Sequence, residues 1–281
     1  MFTIVHKQIL NPTVQRIDVA APAVAAKAQP GQFVILRATQ DGERIPLTVA
    51  DTDPAAGTVA VIYQIVGATT EKLSRLSEGD CLPDLVGPLG RPTDTQGLHK
   101  VAVIGGGVGC AIAYPIAKKL HQQGCTVHSI VGFRNRDLVI LRPEFEAVSD
   151  RYELMTDDGS DGSKGLVTDR LRALLDAGEQ YDRVIAIGPL VMMKFVCKLT
   201  KEYGVPTVVS MNPIMIDGTG MCGGCRLTVG GETRFACVDG PEFDGHLVDF
   251  DEAIARAGAF RDYEKQRHEA CRLLKGAESN G

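Results

Sequence analysis

The stretch HKVAVIGGGVGCAIAYPIAKKLHQQG, residues 99–124, marks the point at which the pattern of the chain changes. An apolar run leads into four glycines within five positions, and apolar residues at helical spacing follow them. This order predicts a buried strand, a tight turn and a helix of about four turns. Glycines at such a junction allow backbone N–H groups and a helix N-terminus to approach a phosphate. Cys110 stands where the G-x-G-x-x-G pattern has its last glycine, and glycine turns at strand–helix junctions also occur for packing alone.

After this stretch, strand-like and helix-like segments alternate. The apolar runs CTVHSIVGFRN, RYELMTDD and YDRVIAIGP are separated by the helical segments RPEFEAVSD and VTDRLRALLDAGEQ. Strands joined through helices form a parallel sheet with right-handed connections. The run YDRVIAIGP ends in Gly188 and Pro189, which supplies a second strand end suited to a nucleotide.

Residues 2 to 90 follow a different pattern, in which short alternating or β-branched runs are separated by Pro, Gly and Asp turns. Few helical periods stand between these runs, which favours a small antiparallel barrel. Glycine and cysteine density rises again after Asn212. We therefore expect an antiparallel β barrel, then a parallel-sheet α/β domain, then a small loop segment.

Length, composition and charge limit the classes of function. The 281 residues suit two modest domains plus an appendage, and 44% hydrophobic with 23% charged residues describes a globular chain. The formal net charge of -5 gives no electrostatic footprint for nucleic acid. The start MFTIVHKQIL lacks a secretory signal pattern, and the apolar run at 101–117 is short and broken by glycine. We expect a cytoplasmic protein that binds neither nucleic acid nor membrane.

Three of the eight cysteines form a cluster in the sequence. Cys222 and Cys225 make a C-x2-C pair, and Cys237 follows after eleven residues. Thiolates at this spacing bind zinc or iron–sulfur clusters. A zinc site needs a fourth ligand, and His246, nine residues past Cys237, is poorly spaced for a finger or ribbon. The other five are interpreted as buried, inert thiols: Cys81, Cys110, Cys125, Cys197 and Cys271.

Asp217 lies five positions before Cys222, so the segment reads D-x4-C-x2-C-x11-C. This is the plant-type [2Fe–2S] spacing with a carboxylate in the first ligand position. The other interpretation is that Asp217 opens an Asx turn and that water or a partner completes a three-cysteine site. The spacing alone leaves both interpretations open.

Two segments of the barrel half carry residues suited to a flavin nucleotide. In ERIPLTVAD, Pro46 fixes the backbone ahead of Thr48, whose hydroxyl is placed to hydrogen-bond a flavin edge. In YQIVGATTEKL, Gly67, Thr69 and Thr70 offer N–H and hydroxyl donors to a pyrophosphate. Each of these residues taken singly is an ordinary strand or turn residue.

Together, the order RIPLT, VGATT, GPLG, GGGVGCA, GP and a C-terminal cysteine loop resembles the ferredoxin–NADP reductase superfamily. More narrowly, it is similar to the branch that contains the electron-transfer subunit of NAD-linked dihydroorotate dehydrogenase. The same branch holds the small (alpha) subunit of NADH-dependent reduced ferredoxin:NADP oxidoreductase. The resemblance implies an FAD-binding barrel at residues 1–97 and an NAD(P)-binding α/β domain at 98–211. It further implies a [2Fe–2S] segment at 212–250, and the composition after it predicts a helical tail at 251–281.

The resemblance also implies roles for particular residues. Pro46, Leu47 and Thr48 would face the isoalloxazine ring, with Thr48 near the flavin. Gly67, Thr69 and Thr70 would contact the FAD phosphates. The remaining implied sites are the nicotinamide nucleotide residues Gly105, Gly106, Gly107, Gly109, Gly188 and Pro189, and the cluster ligands Asp217, Cys222, Cys225 and Cys237.

Two departures separate the chain from the dihydroorotate-linked subunits. Those subunits usually place Arg directly before Pro-Leu-Ser/Thr, whereas Ile45 stands there in this chain and Arg44 is one residue earlier. Arg44 is kept as a candidate FAD contact. Those subunits also supply four cysteines, whereas this chain has Asp217 and three, a set similar to the small subunit of the ferredoxin:NADP enzyme.

The implied function is electron transfer between NAD(H), FAD and a [2Fe–2S] cluster, with hydride transfer at the flavin and no catalytic acid–base pair. In the resembling enzyme, the partner is a larger, glutamate-synthase-like subunit that carries FAD and [4Fe–4S] clusters. The heterodimer performs electron bifurcation that couples NADH, NADPH and ferredoxin, and the small subunit meets ferredoxin only indirectly. Two alternatives stay open, a dihydroorotate-linked subunit and a zinc-stabilised nucleotide-binding protein without redox activity. NAD is chosen over NADP from the resemblance. Arg134 and Arg136, which follow the second strand of the nucleotide domain, are either contacts for a 2′-phosphate or solvated surface charges, and the second case is the commoner one.

Overall fold

The structure is a computed structural model that describes residues 1–259. The predicted tail at 251–281 therefore lies outside the described residues from position 260 onward. Within the part described, no helix is both long enough and apolar enough to span a bilayer.

Residues 2–89 form the expected antiparallel barrel. Its seven strands lie in the order β6-β1-β2-β5-β4-β3-β7, and every neighbouring pair is antiparallel. The interior is filled by fully buried aliphatic side chains and Tyr63. The elements are β1 (Phe2–Asn11), β2 (Val14–Ala20), α1 (Pro22–Ala25), β3 (Phe33–Arg37), β4 (Ile45–Asp53), β5 (Thr58–Gln64), α2 (Ala68–Arg75), β6 (Cys81–Leu82) and β7 (Asp84–Leu89).

Residues 100–210 form the expected parallel sheet, with strand order β11-β10-β9-β8-β12-β13. Helices pack against it because its central strands are apolar on both faces. The elements are β8 (Lys100–Gly106), α3 (Cys110–Gln122), β9 (Thr126–Phe133), α4 (Arg142–Ala147), β10 (Arg151–Thr156), β11 (Ser163–Lys164), α5 (Val167–Asp176), β12 (Arg183–Ile187), α6 (Leu190–Glu202) and β13 (Thr207–Ser210).

The cysteine segment is built into this sheet. It contains a hairpin of β14 (Arg226–Val229) and β15 (Glu232–Phe235), then β16 (Glu242–Asp244) and α7 (Phe250–Gly258). Strand β16 pairs antiparallel with β13 and extends the sheet at that edge. The sheet is therefore mixed, a feature that the sequence pattern missed because a three-residue strand has no readable periodicity.

The barrel and the sheet share packed surfaces on two sides. On one side, Val14, Ala50 and Ile62 of the barrel join the core formed by β8 and α3, where Lys118 pairs with Asp51 at 3.1 Å. On the other side, β3 contributes Phe33 and Ile35 to the core that also contains Cys225 and Cys237. This packing fixes the position of the cysteine segment relative to the barrel.

Candidate functional site

A cavity of about 900 Å³ opens at the carboxyl end of the parallel sheet and reaches the barrel. Its wall includes five of the six residues expected to bind the nicotinamide nucleotide: Gly106, Gly107, Gly109, Gly188 and Pro189. The sixth, Gly105, is not in the wall. A Cβ at position 105 would lie 2.7 Å from the sulfur of Cys110, so Gly105 allows the start of α3 to pack on β8.

The glycine turn has the backbone geometry that a diphosphate site requires. Gly107 has φ of +55°, in the left-handed region that favours glycine. At Gly109 a Cβ would lie 2.5 Å from the carbonyl oxygen of Ile187, so the turn approaches the end of β12 closely. The start of α3 carries no side-chain cap. The N–H groups of its first turn are therefore suited to an anionic ligand at the cavity wall, which fits NAD(H).

Several residues of the cavity wall escaped the sequence reasoning. The barrel contributes Asn11, Thr13 and Gln64, and the amide nitrogen of Asn11 donates to the carbonyl of Leu138 at 3.1 Å across the domain boundary. No local pattern marks these residues. The ends of other strands gave a usable signal, since Asp157 follows β10 at the same sheet edge and also lies in the wall.

Of the two arginines weighed for a 2′-phosphate, Arg134 lies in the cavity wall and Arg136 does not. The backbone N–H of Arg136 instead donates to the hydroxyl of Ser160 at 2.8 Å. Charged side chains on the two facing helices also line the cavity, namely Arg172 on α5 and Lys198 on α6. The wall therefore carries charges of both signs, because the carboxylate of Asp157 lies in it together with these cationic side chains.

The two flavin segments come together on the barrel. The hydroxyl of Thr69 donates to the carboxylate of Glu43 at 2.9 Å, which joins the start of α2 to the segment before β4. Gly67 precedes α2, and a Cβ there would have open space around it. Residues far apart in sequence thus surround one open surface at a helix N-terminus, an arrangement that fits a dinucleotide such as FAD.

Within the flavin segments, some side chains have other partners. Leu47 packs against the barrel interior, so strand alternation places Pro46 and Thr48 on the opposite face of β4. The Thr70 hydroxyl accepts from the N–H of Gly67 at 3.1 Å and caps α2. Leu47 and Thr70 therefore contact the barrel interior and the start of α2, whereas Pro46, Thr48 and Gly67 stay available to a ligand.

In the cysteine loop, Asp217 accepts hydrogen bonds from the backbone. One carboxylate oxygen accepts from the N–H of Thr219 at 2.5 Å, and the other accepts from the N–H of Cys222 at 2.7 Å. These bonds, that from Thr219 first, lower the pKa of Asp217 to about 2. These hydrogen bonds form the Asx turn that one of the two interpretations of Asp217 predicts. The oxygen that accepts from the Thr219 N–H also accepts from the Thr219 hydroxyl at 3.0 Å, whereas the oxygen that accepts from Cys222 keeps a second lone pair. Ligation through that second oxygen of the anionic carboxylate is compatible with the geometry.

The sulfurs of Cys225 and Cys237 lie 3.3 Å apart in the core between the barrel and the sheet. Two thiolates on one tetrahedral metal ion with bonds of about 2.3 Å would lie about 3.8 Å apart, so a small shift accommodates a metal. Burial, as the main cause, and the hydrogen bond with Cys225, as the second, raise the pKa of Cys237 to about 12. A bound metal would supply the charge that such buried thiolates need.

Cys222 is exposed, on the outer side of the same loop. Among residues 1–259, no three Cys, His, Asp or Glu side chains converge into a ready ligand group. The donor set thus fits an iron–sulfur cluster in chemistry and in the buried Cys225–Cys237 pair.

The structure also shows which of the remaining described cysteines are buried. Cys110, Cys125 and Cys197 are buried, as expected for inert thiols. The expectation for Cys81 was wrong, because it lies exposed on the edge strand β6 beside the Thr3 hydroxyl. Cys271 lies outside the described residues.

Comparisons with known proteins agree with this geometry. Residues 103–198 match the family model of the oxidoreductase NAD-binding domain. Residues 212–249 match that of the iron–sulfur cluster binding domain of dihydroorotate dehydrogenase B.

An uncharacterized protein in the adh 3' region of Clostridium beijerinckii is 48% identical, covering 94% of this chain and 92% of its own length. The dihydroorotate dehydrogenase B (NAD(+)) electron transfer subunit homolog of Thermotoga maritima is 47% identical, covering 95% and 97%. A chain in the structure of the NADH-dependent reduced ferredoxin-NADP oxidoreductase is 46% identical, with a TM-score of 0.91 and 98% of both chains covered.

The barrel, the nucleotide cavity at the sheet edge and the cysteine loop define an oxidoreductase of the ferredoxin reductase class. Within that class, the chain belongs to the family of dihydroorotate dehydrogenase B electron transfer subunits and their homologues.

Proposed function

We propose that this chain is the small electron-transfer subunit of an electron-bifurcating NADH-dependent reduced ferredoxin:NADP oxidoreductase. Its cofactors in this proposal are FAD, a [2Fe–2S] cluster and NAD(H). The observation that carries the proposal is the similarity to the chain of that enzyme, which is 46% identical across 98% of both chains. The presence of a flavin surface, a nucleotide cavity and a cysteine loop in one fold also supports the proposal.

The chemistry requires all three groups, because nicotinamides exchange two electrons as a hydride, iron–sulfur clusters exchange one, and a flavin can do both. The task of the protein residues is to hold these groups close together. The turn at Gly107 and Gly109 would bind the diphosphate of NAD(H), with Gly188 and Pro189 beside it. The surface of Pro46, Thr48 and Gly67 would hold FAD on the barrel, and the Thr48 hydroxyl would hydrogen-bond the ring edge.

The cluster ligands in this proposal are Asp217, Cys222, Cys225 and Cys237. Loop glycines allow the backbone to wrap closely, and Gly218, Gly220 and Gly223 all have positive φ. The hydrogen bonds from Thr219 and Cys222 keep Asp217 anionic at physiological pH. A carboxylate kept in this state suits ferric iron in the position that a thiolate occupies in four-cysteine clusters.

The partner in this proposal is a larger, glutamate-synthase-like subunit with its own FAD and [4Fe–4S] clusters, in a cytoplasmic heterodimer. Relatives are named as electron transfer subunits, which implies a larger complex. Apolar side chains around the cysteine loop are exposed, with Ile214 at 47%, Ile216 at 53% and Met221 at 89%. Such a patch beside a redox centre is suited to cover by a partner subunit.

The test is to produce the chain together with a glutamate-synthase-like large subunit and to measure iron, acid-labile sulfide and flavin in the purified complex. We expect the complex to hold two iron atoms and one FAD beyond those of the large subunit purified alone, with bleaching on anaerobic addition of NADH. A complex with no iron or flavin beyond those of the large subunit would refute the proposal and favour the zinc-stabilised alternative.

A second candidate function is that of an electron-transfer subunit of dihydroorotate dehydrogenase. The similarity to the Thermotoga maritima homolog, at 47% identity, favours this candidate about as strongly. Affinity purification separates the two, because a dihydroorotate dehydrogenase barrel and a glutamate-synthase-like flavoprotein differ in mass and in cofactors. Reduction of the chain by dihydroorotate through the co-purified partner would support the second candidate.

A further inference from the structure

Four arginines from four parts of the fold surround the cysteine loop. Arg44 lies just before β4, Arg91 follows β7, Arg226 begins β14, and Arg256 lies on α7. In each case a guanidinium nitrogen donates to a backbone carbonyl of the loop or its end. In the sequence these arginines show no common spacing, so tertiary folding alone brings them together.

The four accepting carbonyls share one property, which is that each belongs to a residue directly next to a proposed cluster ligand. The carbonyl of Ile216, before Asp217, accepts from Arg44 at 2.8 Å. The carbonyl of Val238, after Cys237, accepts from Arg91 at 3.1 Å.

The other two contacts follow the same rule inside the loop. The carbonyl of Gly223, after Cys222, accepts from Arg226 at 3.2 Å. The carbonyl of Gly224, before Cys225, accepts from Arg256 in a longer contact of 3.4 Å. Every proposed ligand therefore has one neighbouring carbonyl bound by an arginine.

The loop also rests directly on the barrel wall. At Gly218, with φ of +80°, a Cβ would lie 2.7 Å from a methyl of Leu89 and 2.8 Å from a methyl of Ile35. Arg44 extends from the segment that leads into Pro46 and Thr48, so its bond to Ile216 joins the flavin surface to the loop. The arginines thus add polar contacts at points where the backbone is already close.

Charge gives these contacts a second consequence. A [2Fe–2S] cluster with two ferric ions, two sulfides, three thiolates and one carboxylate has a net charge of about -2, and reduction adds one more negative charge. Positive groups nearby stabilise the reduced form more than the oxidised form and so raise the reduction potential. Arg44 and Arg256 are half-buried, whereas Arg91 and Arg226 are exposed and more strongly screened by solvent. The charge of Arg91 is further offset by Asp239, which lies 3.8 Å from its guanidinium.

We propose that Arg44, Arg91, Arg226 and Arg256 form a cationic ring that positions the cysteine loop and sets the reduction potential of its cluster. This inference rests on the proposed function, because it requires an iron–sulfur cluster in the loop. The four residues are positioning residues that act through the backbone and through charge. Arginine suits the task, since its guanidinium stays protonated and is less strongly hydrated than an ammonium group.

The test uses Arg→Gln and Arg→Lys variants of the four positions in the purified complex, with redox titration of the cluster followed by EPR. We expect each Gln variant to lower the reduction potential of the cluster by ~30 to ~60 mV. This shift corresponds to a change of about three- to tenfold in the equilibrium constant for electron exchange. The half-buried Arg44→Gln and Arg256→Gln should show the larger shifts. Lys variants should recover most of the potential because they keep the charge.

Arg234→Gln provides the matched control. Arg234 lies on β15 opposite Leu227, and its guanidinium is paired with Glu232 at 2.6 Å rather than with a loop carbonyl. We expect its potential to equal that of the wild type.

Loss of the cluster in Arg44→Gln with retention in Arg44→Lys would support the positioning role. The proposal would be overturned if the reduction potential were unchanged in all four Gln variants. A wild-type complex without a cluster would instead refute the proposed function itself.

Discussion

Replacing Gly109 by alanine tests whether the glycine turn binds the nicotinamide nucleotide. The new Cβ would lie 2.5 Å from the carbonyl oxygen of Ile187 and 2.8 Å from the Cα of Gly188. Both contacts are with backbone, so the turn itself must move away from the end of β12. Such overpacking costs about 1–3 kcal/mol of folding free energy.

The same movement displaces the N–H groups proposed to bind the diphosphate. The loss of one well-placed, charge-assisted hydrogen bond corresponds to about 1.5 kcal/mol, or roughly a tenfold increase in the Kd for NADH. Denaturant titration checks the loss of folding free energy, and rapid-mixing measurement of flavin reduction at a series of NADH concentrations checks the Kd for NADH.

Gly124→Ala is the matched control, because Gly124 follows the other end of the same helix. It also has a positive φ, of +78°, but a Cβ there would meet nothing within 4 Å. Backbone strain should reduce its stability by about 1 kcal/mol without changing nucleotide affinity. If Gly109→Ala bound NADH as tightly as Gly124→Ala, the turn would not be the diphosphate site.

Three further predictions concern other parts of the molecule. Asp217→Cys should keep a [2Fe–2S] spectrum with a shifted potential, and unchanged EPR and potential would show that the carboxylate does not bind iron. Burial raises the pKa of Glu242, which accepts from the Thr93 hydroxyl at 2.7 Å, to about 7. The folded state then binds more protons than the unfolded state between pH 4.5 and 7, so stability falls as pH rises through that window. Glu242→Gln should remove that fall, up to ~3 kcal/mol by denaturant titration, whereas an unchanged pH profile would contradict the assignment. Met221→Glu should weaken association with the large subunit at least tenfold in surface-binding assays with the cluster spectrum intact. Ile9→Glu, at a position 69% exposed on β1, should leave the affinity for the large subunit unchanged. If the two variants bound the large subunit with equal affinity, the apolar patch around Met221 would be excluded as the interface.

The class of fold was readable from sequence because its signals are local. The apolar run before Gly105 and the helical spacing after it predicted β8, the turn and α3, and the structure confirms them. The alternation after residue 124 predicted the parallel sheet in the same way, since strand and helix periods are properties of short windows. The spacing of Cys222, Cys225 and Cys237 likewise predicted a cysteine loop from adjacent residues.

Other features depend on contacts between distant segments. Strand β16 joins the sheet through pairing with β13, although its three residues carry no strand pattern. The burial of Leu47 against the barrel interior follows from the register of β3 and β4. The exposure of Cys81 follows from its place on an edge strand.

The sequence by itself determined which chemical groups the protein carries and the type of the elements that present them. Local periodicity and turn residues are sufficient for that, because they act over a few neighbouring positions. Only the tertiary structure decided which groups meet. The contact between Arg44 and Ile216 spans 172 positions, and such a contact is fixed by the packing of two domains, not by any pattern along the chain.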